Sequence, residues 1–123
     1  MKVSFTKEQK AAVVRISFFM IYADGKIADS EMDFSLSMWS LAGITESDRD
    51  RAKTMTGRDA CNIVAAMNAE QKEFVCALLG CLIVSDGEIA DSEVRTWIIL
   101  SELCDLPPME INEAKKRLKD ILE

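Results

Sequence analysis

Apolar residues along this chain recur at helical spacing and no stretch alternates cleanly between apolar and polar positions, so the pattern predicts helices throughout. The first helix opens at Thr6, which stands with Gln9 at the spacing of a capping box. It runs through AAVVRISFFMIYA, apolar on every side in its second half, and stops at Asp24-Gly25. A second helix is expected from about Asp29 to Ala42, with Gly43 as the permissive residue just past its end. Thr45 and Asp48 cap a short, polar, peripheral helix that fades at Thr56-Gly57, and a fourth covers roughly Arg58 to Met67. Asn68 and Gln71 form another capping box and open the longest apolar helix, which ends near Ser85 before Asp86-Gly87. A sixth runs from about Asp91 to Cys104. Pro107-Pro108 then interrupts the chain before a last helix lined on one face by Ile111, Ala114, Leu118 and Ile121. An all-α fold of about seven helices follows. The 123 residues suit a single domain, and nothing in them reads as linker.

Charge and composition narrow the function. Fifteen basic against twenty-one acidic residues give a net charge of −6, which repels phosphate backbones and anionic headgroups, so nucleic acid is not an expected partner. The uncharged run from Phe74 to Val84 is too short to cross a bilayer. The beginning of the chain meets charges before any apolar signal region develops, which points to the cytoplasm and to no membrane insertion. Histidine is absent, which removes Ser-His and Cys-His nucleophile schemes and the commonest transition-metal ligand. Cys61, Cys76, Cys81 and Cys104 lie within apolar helical patterns, without zinc spacing, and read as reduced, buried thiols. Tyr22, Trp39 and Trp97 also fall on apolar patterns, where aromatic side chains fill a core.

The informative feature is an internal repeat. Ala23-Asp24-Gly25-Lys26-Ile27-Ala28-Asp29-Ser30-Glu31 recurs as Ser85-Asp86-Gly87-Glu88-Ile89-Ala90-Asp91-Ser92-Glu93, an offset of 62 residues between Asp24 and Asp86. Each copy follows an all-apolar helix and precedes an amphipathic one carrying a tryptophan. Two such helix-loop-helix units are expected to pack about a pseudo-twofold axis with the acidic loops facing each other. The spacing D-G-x-I-x-x-x-E equals positions five to twelve of an EF-hand loop. Where that loop places its first and third ligands this chain has Met20 and Tyr22, or Leu82 and Val84, which are core-forming and do not ligate. One loop therefore offers too few oxygens for calcium. Two together would present Asp24, Glu31, Asp86 and Glu93, a hard-oxygen set suited to Ca²⁺, Mg²⁺ or Mn²⁺ with water completing the shell. The competing reading makes the same acids helix caps and dipole partners.

On these paired units, their separation and their flanking apolar helices, the sequence resembles the TerB-like family, helical bacterial domains associated with tellurite resistance and other stress responses. The resemblance covers most of the chain. It implies an all-α domain with internal pseudosymmetry whose loop acids cluster around a divalent metal, which maps here to Asp24, Glu31, Asp86 and Glu93. Asp29 and Asp91 are secondary candidates with an equally good role as caps, since Ala28 and Ala90 stand where a capping side chain would be expected. The expectation is a non-catalytic metal-binding or metal-sensing module acting through a protein partner. The alternative is an interaction scaffold whose signature would be an exposed apolar patch. A metal-dependent hydrolase lacks a phosphate clamp, because Lys26 is the sole cation of either loop and its counterpart is Glu88.

Overall fold

A computed structural model describes residues 3–23, 29–85 and 89–122, and for Ser30 and Glu31 the backbone alone. Its helices are α1 (Lys7–Ile21), α2 (Asp29–Leu41), α3 (Glu46–Thr54), α4 (Gly57–Ala65), α5 (Ala69–Val84), α6 (Asp91–Leu103) and α7 (Ile111–Leu122), and no strand occurs among the described residues. The capping boxes of α1 and α5 are formed on both sides: the Gln9 and Gln71 backbones donate to Thr6 and Asn68, and each glutamine accepts in return from the cap backbone. Thr45 and Asp48 make a third at α3. The start of α4 differs from the sequence reading. Thr56 is not part of a turn but the N-cap of α4, accepting from the Asp59 backbone at 3.1 Å, so the helix begins at Gly57.

Burial explains the apolar helices. In α5 every residue from Phe74 to Ile83 is buried, and α1 buries Ala11 to Val14, Ile16, Ser17, Met20 and Ile21. The two helices touch, and each carries its own cover: α1 lies against α3 and α4, and α5 against α7. Contacts also cross between the units, α1 with α6 and α2 with α5. Helix α3 is not peripheral, because Ala52 is fully buried and Asp48 is buried at its capping position.

The duplication reaches well beyond the acidic loops. At the same offset Thr6 matches Asn68, Gln9 matches Gln71 and Lys10 matches Lys72. The two capping glutamines meet: Gln71 Nε2 donates to Gln9 Oε1 at 3.1 Å and to the Ser4 carbonyl at 2.8 Å. Both exit helices end alike, in a left-handed residue at Gly43 (φ 75°) and Asp105 (φ 52°). The next backbone N–H closes each turn, Ile44 to the Trp39 carbonyl and Leu106 to the Ser101 carbonyl, both at 2.8 Å. The matched lysines serve these ends. A Cβ on Gly43 would lie 3.6 Å from Lys10 Nζ, and Lys72 Nζ donates to Asp105 Oδ2 at 2.8 Å. Ala52 and Ala114, also matched, are both fully buried.

The tryptophans break the match. Trp97 corresponds to Ser35, and Trp39 to Ser101, so they are not counterparts. Bulk is distributed differently in the two units: Gly80 leaves room for the Trp97 ring, whereas its counterpart Phe18 packs its ring on Trp39 at 5.9 Å.

Candidate metal centre

The end of α1 and the middle of α6 share one cleft, lined by Tyr22 and Ala23 and by Thr96. Ala23 is the last described residue before the first acidic loop, and Thr96 lies one helical turn beyond Glu93. Reciprocal packing thus carries the start of one loop to the helix that leaves the other.

Of the six sequence-predicted acids, Asp24 and Asp86 lie outside the described residues, as does the Glu31 side chain. Among the described residues no three acidic or cysteine side chains converge in a way that would hold an ion. Glu93, third residue of α6, is buried, with 2% of its surface exposed. A carboxylate withdrawn from water needs compensating donors or positive charge. The first turn of α6 supplies part of it, because the helix dipole favours negative charge there. Asp29 and Asp91 open α2 and α6 as their first residues, and both are exposed. The expectation that Asp91 replaces the missing cap is corrected by the backbone. Ala90 is the N-cap and makes no side-chain cap bond; its carbonyl accepts from Glu93 N (3.1 Å) and Val94 N (3.2 Å), and this puts Asp91 inside the helix.

Met20 and Leu82 are fully buried, so the positions that would begin an EF-hand loop belong to the core. Tyr22 departs from its expected core role. It is 48% exposed, with its ring 5.8 Å from Phe18, because α1 ends there and the cleft opens beside it. Cys76, Cys81 and Cys104 are buried and Cys61 is half-buried, all as free thiols. Burial pushes Cys76 and Cys81 up to about 11 and Cys104, beside Cys61, to about 12, far from nucleophilic thiolates near neutrality.

Sequence reasoning missed a second feature. Phe19, Ile99 and Leu103 are exposed around a groove of about 470 Å³ between α1, α4 and α6. Its signal was present in Trp97-Ile98-Ile99-Leu100, four consecutive apolar residues that no single face of a surface helix can bury.

A crystal structure of a protein of unknown function from Porphyromonas gingivalis W83 matches this chain with a TM-score of 0.86 at 29% sequence identity, covering 95% of this chain and 92% of that one. The fold is shared along almost the whole of both chains. No family model matches the sequence, and no curated protein matches it.

Proposed function

We propose that the protein is a non-catalytic divalent-cation module of TerB-like type, whose two acidic loops together hold an ion through Asp24, Glu31, Asp86 and Glu93, and which acts by docking to other proteins. The observation that carries this reading is the burial of Glu93 at the start of α6, one turn from Thr96 in the cleft that the end of α1 also lines. Favourable interaction with the helix dipole needs only an exposed carboxylate in the first turn, as Asp91 provides; burying the repeat's final glutamate favours a role beyond that. The donor set is all oxygen, which suits Ca²⁺, Mg²⁺ or Mn²⁺ and not softer metals. Shared ligation by both loops requires one ion for each chain. Calorimetric titration of chelator-stripped protein with each ion tests this: a stoichiometry of one supports a joint site, two supports independent loops, and no heat at millimolar ion removes the cation from the account.

The scaffold reading is favoured by a different observation, the exposed apolar face of α6, where Ile98, Ile99 and Leu103 are each more than half exposed. Docking is common to both readings. They differ in whether the ion is needed, and a link to stress or tellurite resistance belongs to the first alone.

A further inference from the structure

We infer that the groove between α1, α4 and α6 receives an acidic amphipathic helix of a partner protein. The inference rests on the reading that the protein works by docking, and it does not depend on the cation site.

Three observations meet at this face. Thr96, Ile99 and Leu103 follow one another at helical spacing along α6 and present a row of about 10 Å, which two turns of an opposing helix with the same apolar spacing would cover. Phe19 forms the opposite wall, held by close approach to Gly57, where an added Cβ would come within 2.7 Å of its ring. The groove also adjoins the cleft at the end of α1, of about 620 Å³, with which it shares Phe19 and Thr96 as walls.

The charge lining these two adjoining spaces is opposite in sign to that of the molecule. Arg15, Lys53 and Arg58 line them, and among the described residues no carboxylate does, in a chain with twenty-one acidic residues against fifteen basic ones. Arg15 is fixed in place, its guanidinium 4.6 Å over the Phe19 ring and its Nε donating to the Met55 carbonyl at 3.0 Å. Lys53 reaches Asp50 only at 3.5 Å, as an exposed pair. An apolar groove with Arg58 in its lining, and Arg15 and Lys53 in the cleft beside it, complements a helix with a leucine-type stripe bordered by Asp or Glu. The rest of the surface, net acidic, would repel such a helix.

The test uses the full chain and a fluorescein-labelled helical peptide of about four turns, with Leu at i, i+3 and i+7 flanked by Glu, beside a counterpart carrying Lys for every Glu. Anisotropy is measured in chelator and again with Ca²⁺, Mg²⁺ or Mn²⁺. The acidic peptide is expected to bind saturably, with Kd of about 10 μM, and about tenfold or more tighter than the basic one. Ile99→Glu with Leu103→Glu should abolish binding, and Lys53→Glu with Arg58→Glu should reverse the preference. All four side chains are exposed, so melting curves and circular dichroism should stay close to those of the parent chain. Equal binding of both peptides, absence of saturable binding with or without ion, or binding unaffected by either variant pair overturns the inference. A concentration-dependent dimer of the protein alone that Ile99→Glu with Leu103→Glu dissolves would give the groove to a second copy and overturn it too. Binding in chelator that no ion alters leaves the groove standing while counting against cation control of docking.

Discussion

Gly80 shows how one missing side chain sets the packing of a whole unit. An added Cβ there would lie 2.7 Å from Ala114 Cβ and 2.9 Å from Trp97 Cζ2, both on helices held against α5. Overpacking of this kind costs about 1–3 kcal/mol, which outweighs the gain of up to about 1 kcal/mol from replacing a helical glycine. Gly80→Phe should therefore be strongly destabilised in denaturant titration. Combining it with Trp97→Ser removes the ring that the new side chain would meet and places at both positions the residue types of the first unit, so the double variant should recover at least about 1 kcal/mol relative to the sum of its parts. The buried thiols give a pH signature. Their folded values lie above the ordinary 9.0, so their contribution is complete below pH 9 and is lost as pH rises through about 11 to 12. Alkaline unfolding should begin in that window, and at neutral pH a thiol reagent should modify half-buried Cys61 before the other three. Asp105 works in the opposite direction. Lys72, hydrogen-bonded to it, holds its carboxyl below 3.8, so this small contribution is present above that value and is lost as acid titrates it. Because its φ is positive, Asp105→Gly should keep the melting temperature where Asp105→Ala lowers it.

The helices themselves were legible in the sequence because their ends carry local chemistry. Thr6 with Gln9 and Asn68 with Gln71 mark starts through bonds made within one turn, and Gly43 marks an end through its own φ. Asn68→Ala should cost about 1 kcal/mol, as a drop of roughly 3 to 5 °C in melting temperature. Gln71→Glu keeps the acceptor of the box but removes the donor that reaches Gln9 and Ser4, so it should destabilise beyond any cap effect. Properties that depend on another helix were not legible. Nothing local distinguishes α3 as a core partner of α1, since its burial is carried by Ala52 and a capping Asp48 within a highly charged segment. The α4 boundary was missed because Thr56-Gly57 reads equally as a turn and as a cap followed by a first helical residue. The Tyr22 pattern continues the apolar face of α1 and so predicts core, while only the helix end and the neighbouring cleft expose it.

At the scale of the molecule, two units of one design pack through α1 and α5, each also touching the other's exit helix. The acidic motif made the duplication visible over nine residues. Its extension from the caps to Ala52 and Ala114 is hidden because matched positions such as Thr6 and Asn68, or Gly43 and Asp105, share a role and not an identity. Of the candidate site, the sequence singled out Glu93, and the fold adds its burial and the cleft joining α1 to α6. In the proposed site both loops serve one cation. Its most direct test is thermal unfolding of chelator-stripped protein titrated with Ca²⁺, Mg²⁺ and Mn²⁺, alongside the Glu31→Gln, Glu93→Gln double variant. A joint site predicts a saturable rise of about 2–3 kcal/mol in apparent stability for at least one ion at roughly a hundredfold excess over Kd, abolished in the double variant while its own fold persists. An equal rise in the variant, or none in the parent chain at millimolar ion, would contradict the account and leave these acids as caps and dipole partners.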